Sequence, residues 1–152
     1  MSGPLRASTA SSPRRQRGFA TLLVIVYGIF AISATARASV QIIERFGTAP
    51  VAYALSLVAA LTYIAATVLL ARRGGDSRAA LWLCSAELLG VLAVGALTVL
   101  DPALFPDATV WSRFGAGYGH VPLVLPVVAI AYLLRRRRAA RPAATPAAGD
   151  RL

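Results

Sequence analysis

Residues 81–98 read Leu81-Trp-Leu-Cys-Ser-Ala-Glu-Leu-Leu-Gly-Val-Leu-Ala-Val-Gly-Ala-Leu-Thr98, an apolar run broken by one carboxylate, Glu87. A run of this length and composition reads as a membrane-crossing helix. A charged side chain at mid-bilayer costs about 2.5–3.5 kcal/mol on insertion scales, so Glu87 must face a partner or water, and such residues often mark function.

The rest of the chain fits the same solvent. Its 152 residues are 57% hydrophobic and only 14% charged, with a mean hydropathy of +0.65, far from the averages of soluble domains. The net charge of +10 does not indicate nucleic acid, because the arginines sit at span ends instead of forming a soluble basic face with stacking aromatics. Cys84 is the only cysteine and His120 the only histidine. No CxxC motif, zinc site or bis-histidine haem can be assembled from one chain, so no cofactor and no metal are expected.

Four spans are predicted. Phe19 to Ala36 is the first, with its helix continuing to about Phe46, since Arg37, Gln41 and Glu44 share one face before Gly47 and Pro50. Arg14, Arg15 and Arg17 ahead of this run, with Ala36-Arg37-Ala38 after it, also imitate a secretory signal with its cleavage site. The run exceeds the roughly 7 to 15 apolar residues of a signal core, which favours a retained span. Val51 to Ala71 is the second, with Tyr53, Ser56, Ala60, Tyr63 and Thr67 on one stripe that should face other helices. Ala79 to Leu100 is the third, and Ala86 and Gly90 repeat the small-xxx-small spacing. Val121 to Leu134 is the fourth. It would cover only about 21 Å as ideal helix, so His120 and Gly119 are expected to extend it and Pro126 to interrupt it.

Between the last two spans lies DPALFPDATVWSRFGAGYGH, residues 101–120, too long and too aromatic for a plain connector. Trp111, Phe114 and Tyr118 suit the headgroup level, so an interfacial aromatic loop with Trp111 as an anchor is expected, with a lid or a partner-docking surface as the alternative reading of the segment. Residues 1–18 and 139–152 have the low-complexity Ser, Pro, Arg and Ala composition of disordered tails. Most arginines, including Arg72, Arg73, Arg78 and the run Arg135, Arg136, Arg137 and Arg138, fall on one side of this layout; Arg37, Arg45 and Arg113 lie opposite. The positive-inside rule then places both termini in the cytoplasm and the chain in the cell membrane. The Arg135–Arg138 run is a topology anchor and a candidate contact to anionic lipid headgroups.

Counting depth at about 1.5 Å per residue from the inner helix ends puts Glu87, Tyr27 and Tyr63 each about 12 Å in, a candidate inner polar layer, with Pro126 at the same level. Arg37 lies some 15 Å further out by the same count. It joins Gln41, Tyr53 and Asp101 in an outer layer, with Asp101, Glu44 or Asp107 as its counter-ion. Glu87 is then either a protonated, hydrogen-bonded acid or an ionised one facing water. Ser85 beside it suggests no hydrolase, because no histidine shares the layer.

At ATARASVQIIERF (34–46), SAELLGVLAVGALT (85–98) and PDATVWSRFGAGYGHVPLVLP (106–126) the chain resembles small four-span integral membrane proteins of actinobacterial genomes. The resemblance covers most of residues 19–134 and implies an all-α, four-helix transmembrane bundle, with no catalytic or binding residues to transfer. Small multidrug transporters also combine four short spans with a membrane glutamate, but theirs lies in the first span and Glu87 in the third. With no nucleophile, metal or nucleotide constellation the chain is expected not to be an enzyme. Two functions stand: a non-enzymatic accessory, assembly or homo-oligomerising membrane subunit, and a small proton-coupled transporter or small-molecule binder using Glu87.

Overall fold

The structure, a computed structural model, describes residues 13–73 and 77–140. Its regular elements are all helical: α1 (Pro13–Arg45), α2 (Pro50–Arg73), α3 (Arg78–Leu100), short 3-10 turns at Pro102–Leu104 and Ser112–Tyr118, and α4 (Val121–Ala140). Residues 74–76, in the short connection between the second and third spans, and the outer parts of both tails, 1–12 and 141–152, lie outside the described residues.

Local chemistry sets the helix ends. Pro50 takes the first position of α2, where its missing N–H costs nothing. Ser77 caps α3 by accepting from the Ala80 N–H at 3.1 Å. At the other end of α3 the Asp101 N–H returns to the Leu97 carbonyl at 2.8 Å, and Pro102 cannot continue the helix. Two bounds differ from expectation. The helix of the first span begins at Pro13, inside what reads as a tail, and α4 continues through Arg135–Arg138 to Ala140, since neither arginine nor alanine opposes helix.

Arg17–Arg45, Pro50–Arg72 and Arg78–Leu100 are each long and apolar enough to cross a membrane. α4 alone falls short, because its apolar part ends at Leu134; Ser112–Tyr118 and Val121–Ala140 together make a fourth span if taken as one, bent by 100° where they join. That bend replaces the expected break at Pro126. α4 runs through Pro126, and the chain turns instead at Gly119 and His120, both with positive φ. The His120 carbonyl then accepts from the Leu123 and Val124 N–H groups and starts α4.

α1 and α2 pack as an antiparallel pair on small side chains: Ala31, Ala34 and Ala38 on α1, and Ala52, Ser56, Ala59, Ala60 and Ala66 on α2, are all buried. Without a solvent-driven hydrophobic effect, membrane helices gain mainly from such close van der Waals contact. Ser56 and Thr67 donate to carbonyls four residues back, Ala52 and Tyr63, so neither presents an unpaired hydroxyl. The outward faces are apolar, with Ile32, Ile43, Trp82 and Leu100 each at least three-quarters exposed.

Candidate functional site

The interior around Glu87 is built by α1, α2, α3 and the 101–120 segment. Glu87 is 1% exposed. On α1, the fully buried Tyr27 places its hydroxyl 2.9 Å from Glu87 Oε2 and 3.5 Å from Cys84 Sγ. Cys84 sits one turn before Glu87 on α3, so a single phenol bridges two α3 side chains. That phenol has one proton and two neighbouring acceptors. A proton on Glu87 Oε2 would satisfy both contacts at once, passing from Glu87 to the Tyr27 oxygen while the Tyr27 proton goes to Cys84. Glu87 Oε1 is buried and has no hydrogen-bond partner.

Tyr63, expected in the same layer, is fully buried with its ring centroid 6.3 Å from that of Tyr27. Its hydroxyl, however, meets Trp111, whose indole Nε1 donates to it at 3.0 Å. Trp111 is 4% exposed and lies against α3 at Gly90, where an added Cβ would fall 2.9 Å from the ring. An indole enclosed in this way does not offer its ring to lipid headgroups, the contact that its sequence context suggests. Gly90 is one helical turn from Glu87, about 15 Å below the loop end of α3 at 1.5 Å per residue. Of the Ala86–Gly90 pair, Ala86 is exposed, and the space at Gly90 is taken by an indole.

Gly95 repeats the device for Phe114. A Cβ there would lie 2.5 Å from the Phe114 ring and 2.8 Å from its backbone nitrogen. Thr98 then accepts from the Arg113 N–H at 2.8 Å. Arg113, Phe114 and Gly115 are consecutive residues with φ of 50°, 60° and 79°, a left-handed turn that disfavours the first two by about 1–2 kcal/mol each. Thr109 and Ser112 exchange hydrogen bonds at the start of this turn, and the Trp111 N–H donates to Thr109 Oγ1.

The outer layer closes on the loop as well. Arg37 donates to the Ala108 carbonyl at 2.6 Å and to the Tyr118 hydroxyl at 3.4 Å, and Gln41 donates to the same carbonyl at 3.4 Å. The buried Tyr53 donates to Asp107 at 3.0 Å. Arg37 thus spends these donors on a backbone carbonyl and a phenol instead of the counter-ions expected, and Asp107 is held by Tyr53. Asp101 is exposed and acts through its backbone as the cap of α3, so it stands apart from the layer. Arg37 Nε and Gln41 Oε1 are buried without partners. Between the layers runs an aromatic column: Phe30 lies 5.5 Å from Tyr63 and 5.9 Å from Tyr118.

At the opposite end, Arg135 and Arg138 are exposed and Arg136 and Arg137 half-buried. Arg136 folds over the Tyr132 ring at 5.9 Å and donates to its hydroxyl at 3.2 Å. Sequence reasoning offered a lid only as an alternative and missed that Trp111 and Phe114 insert against α3. The usable signal was two α3 glycines five residues apart, Gly90 and Gly95, opposite two aromatics three apart, Trp111 and Phe114. Among the described residues no group of three or more His, Cys, Asp or Glu side chains could hold a metal ion. No protein family, curated protein or solved structure matches the chain.

Proposed function

We propose that the chain is a non-enzymatic integral membrane protein that works by packing, as an accessory, assembly or self-associating subunit of the cell membrane. Both termini lie in the cytoplasm in this reading, with the Arg135–Arg138 helix end on anionic headgroups. One observation carries it. Most polar side chains of the interior bond to one another or to the chain's own loop, whereas the surface offered to the surroundings is apolar helix, including Ile32, Ile43, Trp82, Leu89 and Leu100. Such faces meet either lipid or other helices. Photo-crosslinking in native membranes tests it, with the reactive group at Trp82 and at Ser39, on the wall of a lateral groove of about 260 Å³ between α1 and α2. A recurrent, discrete protein adduct is expected. Lipid adducts alone from both positions, together with a solitary monomer in mild detergent, would remove the reading.

A second reading rests on Glu87 Oε1, a buried carboxyl oxygen with no partner. A buried acid without a cation beside it is a candidate proton-coupling group. Proteoliposomes loaded with a pH-sensitive dye should then show a protein-dependent proton conductance that Glu87→Gln abolishes. No protein-dependent conductance, or an undiminished one in that variant, ends this reading.

A further inference from the structure

We propose that residues 109–118 form a lid over the Glu87 compartment, with Trp111 as its plug, and that its withdrawal opens Glu87 to the aqueous phase at the loop end. This deepens the second reading above, which supplies what the opening serves.

The lid's attachments fall into two groups. Its root is fixed outside the compartment: Asp107 is held by Tyr53, and the Ala108 carbonyl by Arg37 and Gln41. Beyond that root, Arg37 also holds the far end of the segment through the Tyr118 hydroxyl, and between these ends two hydrogen-bond latches grip α2 and α3, Trp111 Nε1 to the Tyr63 hydroxyl and the Arg113 N–H to Thr98 Oγ1. The Phe114 ring seated at Gly95 adds a packing contact. Against this grip stands the left-handed backbone at Arg113 and Phe114. Such conformations persist only where the surroundings over-determine them, and they concentrate at clamps and switches. A segment anchored at both ends, latched between them and strained at the latches is poised to release when a latch is lost.

What the plug covers is chemically incomplete. Trp111 packs at Gly90, one helical turn along α3 from Glu87, whose Oε1 has no donor. The Tyr63 hydroxyl accepts from the indole and keeps a proton of its own, which has no acceptor among the hydrogen bonds of the described residues. Withdrawal of the indole leaves a space lined by an unpaired acceptor and an unpaired donor, and polar, roomy sites of that kind take up water.

Cys84 provides the readout. It is the only cysteine in the chain, fully buried, and shares the Tyr27 hydroxyl with Glu87. The full-length protein in nanodiscs is exposed to a water-soluble quaternary-ammonium methanethiosulfonate and the rate of Cys84 modification is measured. Tyr63→Phe and Thr98→Val each remove one latch without removing side-chain bulk from the core, and either is expected to speed modification about tenfold. Ser56→Ala, which deletes a buried hydroxyl bonded within α2, controls for general loosening and should leave the rate unchanged. Acceleration in either latch variant with an unchanged control supports the lid. Wild-type rates in both latch variants, or equal acceleration in Ser56→Ala, overturn it. Cys84 modification reports opening and the Glu87→Gln conductance reports the acid, so the two proposals fail separately.

Discussion

Tyr27→Phe isolates the contact on which the inner layer turns. The substitution keeps the ring, which is fully buried and packed toward Tyr63, and deletes only the hydroxyl that reaches Glu87 Oε2 at 2.9 Å and Cys84 Sγ at 3.5 Å. Glu87 Oε1 already lacks a partner, so the variant leaves a buried carboxyl group with no hydrogen bond to either oxygen. Stranding such a group costs about 1–3 kcal/mol. An ordinary membrane hydrogen bond is worth only about 0.6 kcal/mol on average and about 1.7 at most, because the unfolded chain in the bilayer also finds partners. A loss above about 1.5 kcal/mol would therefore show that the stranded acid, more than the lost bond itself, destabilises the variant. Glu87→Leu removes the acid altogether, and replacing both members of a polar pair by apolar groups can be nearly neutral. The double variant is then expected to be more stable than Tyr27→Phe alone, with a coupling energy of about 1 kcal/mol or more. Reversible unfolding in mixed micelles supplies all four corners of the cycle. Additive losses, with coupling below about 0.3 kcal/mol, would refute the claim that the two side chains act as one unit.

Four further outcomes follow from the loop's position. Gly95→Ala places a methyl 2.5 Å from the Phe114 ring and 2.8 Å from its backbone nitrogen, and since backbone cannot swing aside the cost should be about 1–3 kcal/mol in thermal or denaturant unfolding. Gly117→Ala, with nothing within 4 Å, should stay within about 0.5 kcal/mol. Brominated lipids should quench a Trp111→Phe protein, which retains the 76% exposed Trp82, much more strongly than a Trp82→Phe protein, which retains the 4% exposed Trp111; equal quenching would contradict the inserted indole. Arg37→Ala removes both its bonds to the loop, to the Ala108 carbonyl and the Tyr118 hydroxyl, and should raise hydrogen exchange across 105–118 while leaving α2 unchanged.

The helical class and the main spans are legible because bilayer crossing demands long apolar runs and because Ser77, Pro50 and the Asp101-Pro102 pair punctuate them. Rise per residue puts Tyr27 and Glu87 at one depth, but depth says nothing of rotation about the helix axis, and it is rotation that turns Tyr27 toward Glu87 and Tyr63 toward Trp111. The loop was the least legible part. Trp111 beside glycines is the composition of an interfacial anchor as much as of an inserted plug, and only the paired gaps at Gly90 and Gly95 separate the two. Nor does sequence announce left-handed backbone at Arg113 and Phe114, since neither residue type favours it; tertiary contacts with Thr98 and Gly95 impose it.

The depth of that loop is the feature that ties fold to site. Non-helical backbone packed against helices needs its polar groups satisfied, and here the partners are supplied by side chains: Thr98 for the Arg113 N–H, Ser112 and Thr109 for the turn, Arg37 and Gln41 for the Ala108 carbonyl. Those polar residues on α1 and α3 spend their hydrogen bonds on the loop. They are the means by which a loop is held inside the helices, and the loop in turn delivers Trp111 to the hydroxyl of Tyr63, one turn from Glu87. The outer polar residues position the wedge, and the wedge ends on Tyr63, whose ring neighbours that of Tyr27, the partner of Glu87.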